Sequence, residues 1–259
     1  MENEVAAVEH ETVAPKPYSW KKALIGVLLL PLLVWFITQG VVQLYIGLGG
    51  TIGQSLGFLL TSGSFILTAL IYILITGQIR QIWTVLKLRG FHWWYIPLGL
   101  GGAVVTYLGA TILATVGILL SQLGGNPPEI GSNSTSQTIG DLTQSGSLLF
   151  VGFLVAIMAP VAEEIFFRGA LLGSIVQESV NRWLRVGAVV IVSVIFGLFH
   201  FQGATGTISD VLAMVTPGLV GVTAAILTLK FNSLYPAIFT HLFYNGIVLA
   251  IIASSAAAS

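Results

Sequence analysis

The sequence predicts an all-α fold, a polytopic transmembrane helical bundle of seven or eight spans with a cytoplasmic N-terminus, and three observations predict it. Charged residues are 8% of the chain and hydrophobic residues 55%, with a mean hydropathy of +0.94. Seven apolar segments are each near the length needed to cross a hydrocarbon core of about 30 Å. Nine of the ten basic residues flank those segments on one side only.

The charge deficit comes first. A soluble domain carries about 25% charged residues to keep its surface wet; a chain with 8% cannot, so lipid is the solvent for most of it. That scarcity makes the lipid bilayer its surroundings, and a formal net charge of zero argues against nucleic acid or any strongly charged partner. The absence of cysteine excludes disulfides, thiolate metal sites and thiol nucleophiles.

Residues 1–19 are polar and acidic-leaning, with Pro15 and Pro17, and read as a disordered cytoplasmic tail rather than a cleavable signal. The predicted spans are 23–48, 54–76, 96–122, 147–176, 187–203, 208–229 and 236–255. Each must satisfy its own backbone hydrogen bonds in hydrocarbon, which a helix does. The alternating pattern of a barrel strand is absent. Residues 20–122 form an N-terminal helical part. Within it 78–94 mixes basic and aromatic residues and is expected along the cytoplasmic interface. Residues 123–146 form a polar external loop carrying an Asn133-Ser134-Thr135 triplet, a common chance match to a glycosylation sequon. Residues 147–255 form the core that carries the chemistry. No internal repeat is visible, which removes the support many transporter folds would have.

Orientation follows from Lys16, Lys21 and Lys22 before the first span, Arg80, Lys87 and Arg89 after the second, Arg182 and Arg185 after the fourth, and Lys230 after the sixth. The opposite loops carry Glu129 and Asp141 and no Lys or Arg. The side rich in basic residues is the cytoplasmic one. Trp20, Trp83, Trp93, Trp94 and Trp183 all fall at its helix ends, where amphipathic rings suit the headgroup layer.

The exceptions to the topology rule carry the most information. Glu163, Glu164, Arg168, His200 and His241 lie inside apolar segments, with Asn245 as a further polar group. An ionisable group at mid-bilayer costs about 2.5–3.5 kcal/mol on insertion scales, so its presence points to function. Glu164 and Arg168 are spaced four apart with the acid first, the favourable order for an ion pair on one helix face. Glu163, turned about 100° away, has no local partner and is of the residue type that a general base needs. Pro160, about one turn earlier, loosens the helix. His241 and Asn245 are again four apart. At about 1.5 Å per residue, Glu164 lies about 18 Å from Val176 and His200 about 20 Å from Gly187, similar depths; His241 comes out shallower. A lone histidine in a span serves packing as readily as catalysis, and Glu164–Arg168 alone reads as a structural pair. Three spans contributing polar groups to one locus, and no other span doing so, points to a site.

In order, Glu163-Glu164-x-x-x-Arg168, Phe196-x-x-x-His200 and His241-x-x-x-Asn245 resemble the CPBP family of intramembrane proteases, also called the Abi or CAAX-protease-and-bacteriocin-processing family, over roughly residues 145–255. The resemblance implies hydrolysis of a peptide or membrane-protein substrate, prenylated or not, by an activated water. It assigns the general base to Glu163 and the holding of the water to His200. His241 and Asn245 would stabilise the oxyanion, with Glu164 and Arg168 supporting. It also implies one span more than the seven found, so either 78–94 dips into the bilayer or a boundary shifts. Whether zinc takes part stays open. Glu163, His200 and His241 would be its ligands, with one position free, but the H-E-x-x-H spacing of zincins is absent and metal-independent action is favoured.

Two rivals remain. One is a silent scaffold or immunity protein that acts by binding a partner such as a sensor kinase; the other is a proton-coupled transporter using the carboxylates as a relay.

Overall fold

In a computed structural model the described residues are 18–48, 50–124, 148–177, 181–201 and 208–258, and their regular elements are all helical. The expected tail, up to residue 17, and nearly all of the expected external loop, with Glu129, Asn133 and Asp141, lie outside the described residues.

The chain enters at Ser19, whose hydroxyl accepts from the Lys22 N–H and caps α1 (Trp20–Leu24). A π segment, Ile25–Leu29, leads into α2 (Leu30–Leu48), which packs along α3 (Gly50–Ile75). Pro31 stands two residues after that π segment. A proline cannot donate to the ladder and its ring crowds the carbonyl four residues back; widening the preceding turn relieves both. The same order recurs at Leu154–Met158 and Pro160.

Residues 78–94 hold only short helical turns. A 3₁₀ turn (Ile79–Gln81) and one turn of helix, α4 (Ile82–Val85), end where Lys87 takes a left-handed φ of 55°. The reversal is tied to the far end of the chain. The Leu234 N–H donates to the Lys87 carbonyl at 2.9 Å, and the Tyr235 hydroxyl donates to the Leu88 carbonyl at 3.0 Å.

α5 (Tyr95–Leu123) follows. The next helical run contains α6 (Leu148–Phe153), the π segment Leu154–Met158, α7 (Ala159–Glu164), a second π segment Ile165–Leu171, and α8 (Leu172–Val176). α9 (Arg182–Leu198), α10 (Ile208–Phe231) and α11 (Tyr235–Ala258) complete the order, with α9 against α10, and α10 and α11 both against α5. The α5–α11 contact is close because Gly99 has no side chain: a Cβ there would sit 2.9 Å from the Phe239 carbonyl carbon and the Thr240 nitrogen.

Among the described residues five helices are long and apolar enough to cross a membrane: Trp20–Val41, Leu56–Ile75, Tyr95–Leu123, Asp210–Phe231 and Tyr235–Ser255. The two remaining expected spans look different. Residues 148–176 are helical throughout but broken by π segments and carry three charges. α9 has 17 residues, about 25 Å at the usual rise. It also begins earlier than expected, because Asn181 caps it by accepting from the Trp183 and Leu184 N–H groups. Arg182 and Arg185 therefore lie in the first turns of a helix. Leu28, Trp35, Phe36, Val105, Leu108 and Ile112 are among many large apolar side chains on the outside, as lipid-facing surfaces require. The buried core is built around Phe65, Phe166, Phe167 and Phe196.

Candidate functional site

The site is assembled on the twice-interrupted helix. α7 ends on the two glutamates, and their neighbours differ. Glu164 is fully buried and its Oε1 lies 3.0 Å from Arg168 Nη1, the expected pair four residues apart. Arg168 is also fully buried. Its Nη1 meets Glu164 at ion-pair distance but out of hydrogen-bond alignment, and none of its three nitrogens has a hydrogen-bond partner among the described residues. The guanidinium instead lies 4.5 Å from the centre of the Phe196 ring and 5.8 Å from that of Phe167. A desolvated cation over an aromatic face gains about 2 kcal/mol, which offsets part of the missing hydrogen bonding.

The other neighbour of Glu164 comes from α11. His241 Nδ1 is 2.8 Å from the same Oε1. A carboxylate can only accept here, so Nδ1 carries a proton and Nε2 turns the other way. That second nitrogen lies 3.8 Å from Glu163 Oε2, beyond hydrogen-bond length. Glu163 Oε2 is itself buried with no partner among the described residues. A linear order results, Arg168 to Glu164 to His241 to Glu163, held by α7, the π segment after it, and α11. His241 is therefore level with the glutamates, where counting along an ideal helix placed it too shallow. It stands in the second turn of α11 (Tyr235–Ala258), beside the close contact at Gly99.

His200 is placed less deeply in a helix than expected. α9 ends at Leu198, and the chain turns there with the His200 N–H donating to the Gly197 carbonyl at 2.9 Å. His200 Nδ1 pairs with the Phe196 carbonyl at 2.9 Å. Among the described residues no hydrogen bond or ion pair joins His200 to either glutamate. What connects it to the cluster is the Phe196 ring, 4.7 Å from His200 and 5.6 Å from His241 between ring centres. One aromatic side chain thus touches Arg168 and both histidines. Its spacing four before His200 was visible in the sequence; its contact with Arg168 was not. Asn245 also lands elsewhere: its Nδ2 donates to the Val155 carbonyl at 3.0 Å, inside the first π segment.

The fit to zinc can be tested on these positions. Among the described residues no three His, Asp or Glu side chains are arranged to hold a metal ion. With Nδ1 of His241 turned to Glu164 and Nδ1 of His200 to its own helix, each Nε2 is the atom left to bind, and it is the placement of the three side chains that fails. The three residues do not fit a zinc site as arranged, and no step is derived through one.

Fold and site together define a multi-pass helical membrane protein with a carboxylate, guanidinium and imidazole cluster buried between helices. Residues 145–247 match the family model described as Rce1-like, Type II CAAX prenyl endopeptidase Rce1-like. This part of the chain is similar to that CAAX-protease family, the family its three motifs resemble. No curated protein and no solved structure matches the chain.

Proposed function

We propose that the chain is an intramembrane endopeptidase that cleaves a peptide or membrane-protein substrate with a water activated at Glu163. The observation that carries this is the 2.8 Å contact of His241 Nδ1 with Glu164, which aims Nε2 toward the unpartnered Oε2 of Glu163. An imidazole oriented by one carboxylate and facing a second group across a short gap is the arrangement on which acid–base hydrolysis is built.

In this reading the water oxygen adds to the scissile carbonyl carbon while Glu163 takes its proton. Glu163 then delivers that proton to the leaving nitrogen as the C–N bond breaks. His200, its Nδ1 committed to the Phe196 carbonyl, holds the water through Nε2. His241 in its protonated form donates Nδ1–H to Glu164 and Nε2–H to the oxyanion, an interaction worth about 2.7–4 kcal/mol where measured at such donors. Arg168 lies against the Glu164 oxygen that accepts from His241. Asn245 serves the oxyanion only if it releases Val155; as placed it braces the helix.

We place the protein in the cell membrane with seven crossings and its N-terminus inside, on the strength of the five long apolar helices, the two broken ones and the distribution of basic residues. The substrate is membrane-associated, and prenylation is its open feature.

The test is cleavage by the detergent-purified protein of a panel of prenylated and unprenylated peptides, with and without chelator. The expected result is cleavage insensitive to chelator and reduced by about 10²–10⁴ in Glu163→Ala, the usual contribution of a general base. Undiminished cleavage in Glu163→Ala overturns the role of Glu163, and no cleavage of any peptide by the wild type overturns the endopeptidase reading and favours a scaffold.

A further inference from the structure

The helix that carries the glutamates is held near both ends by groups from outside it. At its start, Asn245 donates to Val155 within the first π segment. At its end the partner is the segment just before α1, 158 residues away in sequence. The Ser19 N–H donates to Gln177 Oε1 at 3.0 Å, and Gln177 Nε2 donates back to the Ser19 carbonyl at 2.9 Å. One side-chain amide thereby pairs with both polar groups of a single residue's backbone, as a neighbouring strand would. Tyr18 adds a bond from its hydroxyl to the Ile175 carbonyl at 2.7 Å, and Gln177 Nε2 also reaches the Ser174 carbonyl at 3.0 Å. One helix turn further in, Gly26 lies so close against Ser174 that no Cβ fits.

Gln177 meets these partners from a backbone conformation that L-residues avoid, φ 49° and ψ −131°. Such strain persists only where surrounding contacts over-determine it, and it marks positions with a task. The task is legible from what lies between. From Glu164 to α8 the chain runs through the π segment Ile165–Leu171, which contains Arg168. A π turn holds an extra residue, and its loss to ordinary α geometry would rotate one side of the helix against the other by about 100°. Arg168 would stay on the side of Glu164, as any i to i+4 pair does, but its guanidinium would shift off the Phe196 ring, which also faces His241. A helix end fixed from outside prevents that slip.

We propose that Gln177 is a positioning residue: its amide, paired with the Ser19 backbone, locks the end of the glutamate helix in the π register that seats the Arg168 guanidinium over the Phe196 ring, the ring that His241 also faces. The activity part of this inference rests on the hydrolytic reading above; the structural part does not. The N-terminal helix is then a component of the site, although it contributes no residue to the chemistry.

Gln177→Gly separates the clamp from the backbone shape, because glycine adopts the same φ without strain while the amide is lost. The expected result is a thermal midpoint equal to or above wild type, KM unchanged, kcat lower by about 10- to 100-fold as for a misplacement near 1 Å, and faster amide exchange across residues 165–171. Wild-type kcat and wild-type exchange in Gln177→Gly overturn the proposal. If the wild-type protein cleaves no peptide of the panel, the hydrolytic reading fails and exchange alone decides: faster exchange at 165–171 supports the clamp, and unchanged exchange removes it.

Discussion

Glu164 and His241, 77 residues apart in sequence, are joined by a 2.8 Å hydrogen bond in the interior of the bundle, and the same carboxylate oxygen faces Arg168 at 3.0 Å. One buried carboxylate therefore serves a cation and an imidazole at once. Removing one partner of a buried pair leaves an uncompensated charge, which costs about 3–5 kcal/mol, while replacing both by apolar residues of similar volume is nearly neutral. Glu164→Ala and Arg168→Ala should each destabilise by that amount. The double variant Glu164→Leu with Arg168→Met should recover most of it and remain inactive, because His241 loses the acceptor at Nδ1. Thermal unfolding in detergent beside peptide cleavage checks both halves.

Asn245 donates to the Val155 carbonyl at 3.0 Å, so its contribution to stability and its contribution to chemistry can be told apart. A single hydrogen bond between membrane helices is worth about 0.6 kcal/mol on average. If bracing is its whole role, Asn245→Ala should lose about that much stability and less than tenfold in kcat. An oxyanion donor would instead cost about 10²–10³ in kcat. Unfolding midpoints and kcat measured on the same preparation decide between them.

The parts of this arrangement that were legible in the sequence are the local ones. The spacing of Glu164 and Arg168 on one face survives in the structure because i to i+4 geometry is set by the helix itself. The composition of the spans gave the helical class for the same kind of reason, since hydrocarbon allows a lone segment few alternatives. The π segments were not legible. Pro31 and Pro160 signal a disturbed ladder, but nothing local says whether it kinks or widens. His200 was read as lying inside a span because the apolar run continues past the point where the helix ends at Leu198. Gln177 directly follows the expected span 147–176, and only its partner at Ser19 gives it significance. Long-range pairing is what hydropathy and spacing leave out.

Lys87 offers a test outside the spans. Burial first, and the charge of Arg185 second, hold its ammonium below the ordinary value of 10.5. Its Nζ donates to the neutral Asn232 Oδ1 at 2.6 Å. A lysine whose folded pKa is lowered destabilises the fold wherever it is charged in both states; that penalty fades as pH rises through the folded value toward 10.5. Lys87→Gln keeps a donor for Asn232 without a charge beside Arg185. It should melt no lower than wild type at pH 7, and any advantage should shrink as pH approaches 10.5. An advantage that grows toward alkaline pH would contradict this account.

Gly99 tests how His241 is delivered to the site. A Cβ at this position would lie 2.9 Å from the Phe239 carbonyl carbon and the Thr240 nitrogen, the backbone immediately before His241. Backbone cannot swing aside as a side-chain tip can, so Gly99→Ala must push α5 and α11 apart. Overpacking of this kind costs about 1–3 kcal/mol. Gly101, two residues along the same helix, has open space at its Cβ position, and alanine there should be neutral or gain up to about 1 kcal/mol from helix propensity. The pair of variants differs in contact and not in chemistry. Gly99→Ala should lower both the unfolding midpoint and kcat, through displacement of His241 from Glu164, while Gly101→Ala leaves kcat at the wild-type value. Equal kcat in the two variants would mean that the α5–α11 contact does not set the position of His241.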